Sequence, residues 1–78
     1  MRYAVVIEKA SRNYSAYVPD VPGCVATGRT VAATLNNLRE ALSLHLAGLN
    51  EDGDAVPDPT TLCDYIDVPL PSHVRKSA

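Results

Sequence analysis

Seventy-eight residues, 46% of them hydrophobic, with a net charge of −2, fit one small domain and exclude a second. The longest unbroken apolar run, Tyr3 to Ile7, falls far short of the roughly 20 residues that span a bilayer, so no membrane segment is expected. Seven bases scattered against nine acids argue against direct nucleic-acid binding, which needs a basic stripe to neutralise phosphates.

Tyr3 to Lys9 (YAVVIEK) is short and rich in β-branched residues, and predicts a first strand. Ala10 to Asn13 is polar and turn-like, and Tyr14 to Val18 (YSAYV) predicts a second strand. Pro19-Asp-Val-Pro-Gly23 predicts a loop, because proline removes ladder donors and glycine tolerates positive φ. Cys24 to Gly28 (CVATG) predicts a third strand, and the close spacing of the three implies an antiparallel meander. The period then changes. Val31, Leu35, Leu38, Leu42, Leu46 and Leu49 step by three and four, the stripe of an amphipathic helix. Thr30 is its candidate N-cap and Asp52-Gly53 its stop. Such a helix is roughly 30 Å long, enough to cross the sheet. After a turn-rich connection holding Pro57 and Pro59, Tyr65 to Val68 (YIDV) predicts a last strand, stopped by Pro69 and Pro71.

The expected architecture is therefore α+β, in the order β-β-β-α-β: a three-strand meander and an edge strand, with one long helix packed on a single face. The domain is expected over residues 1–70 with a flexible tail at 71–78, and no DNA-binding domain. The lack of a cleavage-site pattern after Met1-Arg2 predicts a cytoplasmic location. Cys24 and Cys63 are not closely spaced and are expected to be reduced, since a secreted domain of this size carries a denser disulfide framework.

One helix covers one face. With Tyr3, Val5, Ile7, Tyr14, Ala16 and Val18 beneath it, Ala4, Val6 and Tyr17 are left on the open face. Apolar groups there are a candidate self-association surface, and a homo-oligomer is expected, because a chain this short buries only about 60% of its unfolded surface.

Chemistry is scarce. There is no phosphate loop, no His-Glu-x-x-His and no Cys-x-x-Cys. His45, His73 and the two cysteines lack metal-site spacing, so neither a metal nor a cofactor is expected. A metal-dependent nuclease needs converging carboxylates. The candidates are Glu8, Glu40 and Asp67, and Glu40 falls on the polar side of the helix. No catalytic residue is assigned.

The run Tyr14-Ser-Ala-Tyr-Val-Pro-Asp-Val-Pro-Gly-Cys24 resembles the signature of HicB-type antitoxins. The preceding strand, the Thr-Gly-Arg-Thr turn at 27–30 and Leu-Arg-Glu-Ala-Leu at 38–42 support the likeness, which extends over residues 1 to 70. Val21 stands where leucine is common. The resemblance implies a reduced ribonuclease H-like fold without its active site. It also implies a HicA-type toxin as partner, a small mRNA-cleaving ribonuclease whose catalytic surface the antitoxin covers. On this reading the chain is a binding domain and not an enzyme. Tyr17, Asp20, Pro22 and Gly23 are the expected toxin contacts, with Asp20 offering a carboxylate to a basic surface. The alternative is a self-assembling structural or regulatory module without a toxin.

Overall fold

Three short antiparallel strands open the chain, each stopped by its own turn chemistry. The structure, a computed structural model, describes residues 1–72. β1 (Val6–Lys9) pairs with β2 (Tyr14–Tyr17), and β2 pairs with β3 (Val25–Gly28), giving the sheet order β1-β2-β3. The Ala10 N–H donates to the Asn13 carbonyl at 2.9 Å and closes the first turn. β1 begins three residues later than its composition suggests. Its partner ends at Tyr17, because the next N–H, that of Val18, donates to the Cys24 carbonyl and Pro19 has none to give. Residues 3–5 therefore lack a ladder partner, although Tyr3 and Val5 pack against the core.

The α1 helix (Val31–Glu51) starts and stops where the sequence predicts. The Thr30 hydroxyl accepts from the Ala33 N–H at 3.0 Å, satisfying one of the free donors of the first turn. At the other end Gly53 takes a φ of +74°, the left-handed residue that commonly closes a helix. The helix lies over β3 and β2 rather than over the whole sheet. Asn37 fixes this offset by donating from Nδ2 to the Thr27 carbonyl at 2.9 Å. Near the helix start, a Cβ on Gly28 would stand 2.7 Å from both the nitrogen and the Oγ1 of Thr34. Only glycine lets the first helical turn approach β3 this closely.

The core consists of Ala16, Val18, Val21, Cys24 and Leu38, with Thr34 fully buried beside them. Thr34 is the polar member, and its hydroxyl is satisfied by donating to the Thr30 carbonyl at 2.7 Å. The leucine stripe is right in phase but not in depth. Leu38 is buried, Leu35, Leu42, Leu46 and Leu49 are half-buried, and Val31 is exposed. Because the helix sits away from β1, Ile7 is also left exposed.

The expected fourth strand is not in the sheet. After α1 the chain is pinned twice to the N-terminal body. The Tyr3 hydroxyl donates to the Pro57 carbonyl, and Asp20 holds Thr60 and Thr61. Beyond that point residues 62–70 form an arm without strand pairing, and Tyr65, Ile66 and Val68 are all exposed. The β-branched and aromatic content of YIDV suits a half-buried pleated surface, and a single copy of the chain does not supply one here. Of the expected tail, Pro71 and Ser72 are exposed; His73 and the rest lie outside the described residues. Among the described residues no helix is long and apolar enough to cross a membrane.

Candidate partner-binding site

The Pro19–Gly23 segment is built as two consecutive tight turns. The Val21 N–H donates to the Val18 carbonyl at 3.1 Å, and the Cys24 N–H donates to the Val21 carbonyl at 3.2 Å. In the second turn proline precedes a glycine with φ +82°, the residue order of a type II turn. Val21, between the turns, is buried in the core. The segment is thus a rigid wall of the domain and not only a connector. Pro22 and Gly23 at its tip are exposed.

Asp20 is engaged within the chain. Its Oδ2 accepts from the backbone N–H groups of Thr60 and Thr61 at 3.0 and 2.9 Å, and its Oδ1 accepts from their hydroxyls at 3.1 and 2.7 Å. These bonds, those from Thr61 foremost, hold the carboxyl below the ordinary aspartate range. The free carboxylate expected for a basic partner is therefore a clasp that fixes the root of the arm. Both threonines lie some forty residues further along the chain, so no local sequence signal points to them.

Cross-strand register sets the open face. Val6, Tyr17 and Val25 stand opposite one another in the ladder, and Glu8, Ser15 and Thr27 form the next row but one. Residues opposed in this way share a face. The row Ile7–Ala16–Ala26 turns the other way, toward the helix. Tyr17 is 41% exposed and Val25 59%, while Ala4 and Val6 are half-buried. Thr61 to Cys63 run past Ala4 and Val5 and help to enclose them. The most exposed apolar groups of the open face are thus Tyr17 and Val25. Only register, not composition, identifies Val25.

Glu8 and Glu40 do not converge. Glu8 shares the open face, and Glu40 is an exposed residue of the helix on the opposite side; Asp67 is exposed on the arm. Among the described residues no three of His, Cys, Asp and Glu are grouped to hold a metal ion. Cys24 is a free thiol buried in the core, which raises its pKa, and Cys63 is free and exposed.

A profile described as the HicB-like antitoxin of bacterial toxin–antitoxin systems matches residues 3–72. The chain belongs to the HicB-like antitoxin family. It is 39% identical over 69 residues, 88% of its length, to a 14.9 kDa protein from the rep–hol intergenic region of Haemophilus phage HP1. It is 43% identical over 47 residues, 60% of its length, to a UPF0150 protein of Helicobacter pylori. The matched regions make up 52% and 65% of those two relatives, so the HicB-like chain spans about half of the first and just under two thirds of the second. Its fold is similar to that of a chain in the HicA3 and HicB3 toxin–antitoxin complex, with a TM-score of 0.64 and 32% identity over 76% of this chain and 69% of that one. The Pro19–Gly23 double turn, with its buried Val21 and clasping Asp20, is the structural content of the signature segment.

Proposed function

We propose that this HicB-like domain neutralises a HicA-type mRNA-cleaving ribonuclease in the cytoplasm by covering its active surface, through binding and not catalysis. The likeness to a chain of the HicA3 and HicB3 complex, in sequence and fold together, carries this reading. The contact surface is the open face with the turn tip: Tyr17 and Val25 on the sheet, and Pro22 and Gly23 beside them in sequence. An exposed tyrosine supplies large contact area with a polar end. The double turn is already ordered, so little entropy is lost on docking. Asp20 supports the site by fixing its surroundings and is not itself a contact. The reduced ribonuclease H-like description of the fold belongs to the same reading.

The test is co-expression with a HicA-type ribonuclease, followed by purification of the pair and an RNA-cleavage assay. A stable complex in which cleavage is suppressed is expected. Tyr17→Ala together with Val25→Ala raises Kd at least about tenfold, as loss of a central aromatic contact does. Cleavage unaffected by saturating amounts of this chain overturns the reading.

A further inference from the structure

We propose that the arm at 62–70 is an exchange element: in a two-fold dimer, each copy lays its arm in the groove between the N-terminal residues 1–5 and α1 of the other. This assignment does not depend on the toxin reading. It rests on the arm, the groove and the charge that distinguishes them.

The arm carries Leu62, Tyr65, Ile66, Val68 and Leu70, and each is more than three-fifths exposed. Tyr65 is 95% exposed and Ile66 87%; the arm starts beside Val5, Val6 and Ile7 of its own body, yet these side chains stay open to solvent. The radius of gyration is 16.1 Å, against about 12 Å for a closed chain of this length. Five side chains of this size offer on the order of 800 Å² per copy, the area each partner contributes to a standard stable interface. The root of the arm is fixed by the Asp20 clasp and the Tyr3–Pro57 hydrogen bond, so its direction is set before any partner arrives.

The groove exists because the helix is seated over β2 and β3. It has a volume of about 370 Å³, with Tyr3, Val5, Leu38 and Leu42 lining it together with the cations Arg2 and Arg39. An apolar segment bearing carboxylates fits this lining. The arm is such a segment, since Asp64 and Asp67 alternate with its apolar residues. The division runs through the whole chain. Residues 1–39 hold five bases and two acids, and residues 40–78 hold seven acids and two bases, Arg75 and Lys76. Two copies therefore attract when the C-terminal half of one meets the N-terminal half of the other, and repel when like halves meet. Reciprocal exchange satisfies both contacts at once and closes the assembly. Pro69 and Pro71 stop the arm from extending as a pairing edge.

Light scattering on the size-exclusion peak at about 50 µM tests this, and twice the 8.3 kDa chain mass is expected. Tyr65→Ser with Ile66→Ser, both at exposed positions, yields the single-chain mass with an unchanged circular dichroism spectrum. Arg2→Glu with Arg39→Glu weakens the dimer at least about tenfold, and adding Asp64→Lys with Asp67→Lys restores it. Val6→Glu with Tyr17→Glu leaves the dimer intact. A monomeric wild type overturns the proposal, as does a dimer that survives the arm changes or charge reversal without rescue. A dimer lost only in the Val6, Tyr17 variant places the second copy on the open face instead.

Discussion

Asp20 shows how a residue that stands out in the sequence can have partners that the sequence does not reveal. An acidic residue on a rigid loop looks like an offer to a basic partner, but its four acceptor contacts all go to Thr60 and Thr61. Their hydrogen bonds hold its folded pKa below the ordinary value of about 3.9. The sign follows from that depression. The clasp is at full strength above the ordinary value and is lost as pH falls through the lower, folded one. In an acid titration followed by NMR, the Thr60 and Thr61 amide resonances are expected to move with a midpoint below about 3.9. Asp20→Asn keeps the acceptor on one side only. It is expected to speed hydrogen exchange at both amides at neutral pH while leaving the core amides unchanged. A midpoint at or above the ordinary value, or unchanged exchange in the variant, contradicts the clasp. The sequence could not disclose this pairing, because it joins two segments that each read as a loop.

Among the elements, those governed by local rules were legible and those governed by a partner surface were not. The periodic leucines, the Thr30 cap and the Gly53 stop each act within a few residues of one another, and α1 runs between them. The meander was equally legible, because turn residues fall at short intervals. Two features of packing escaped. One is the lateral seat of the helix, set by Asn37 and Gly28, which puts Thr34 rather than Val31 in the core. The other is the segment 65–68, whose composition is that of a strand but which joins no ladder of the sheet. The seat makes Gly28 a sensitive position. Gly28→Ala forces the helix away from β3, and a loss of about 1–3 kcal/mol is expected, the usual range for overpacking a close contact. Chemical denaturation measures it, and a midpoint equal to wild type rules out the close approach.

At the scale of the whole molecule, a net charge of −2 conceals the arrangement that matters. Averaged over 78 residues it is weak evidence for any partner; divided at residue 39 it is a half with five bases and two acids against a half with seven acids and two bases. Composition gives the sum, and only the order along the chain, placed on the fold, gives the dipole. The candidate site divides in the same way. Tyr17, Pro22 and Gly23 were accessible to sequence reasoning, because a strand end and a Pro-Gly turn can be recognised locally. Val25 and the half-burial of Ala4 and Val6 required register and the path of the arm.

Val21 has a practical bearing on where this chain can be cut or lengthened. Surface loops ordinarily accept added residues, because nothing inside the domain depends on their length. Here the loop between β2 and β3 delivers a core side chain, so an insertion after Asp20 withdraws Val21 from the interior and separates the two turns. The turn at Ala10–Asn13 delivers nothing to the core; its residues are exposed. Four glycine or serine residues placed after Ser11 are therefore expected to shift the melting temperature by only a few degrees, whereas the same insert after Asp20 removes the cooperative transition. Equal tolerance at the two positions shows that Val21 is dispensable. A fluorophore, an affinity tag or a new chain terminus belongs at the first turn, and the second must be left at its natural length.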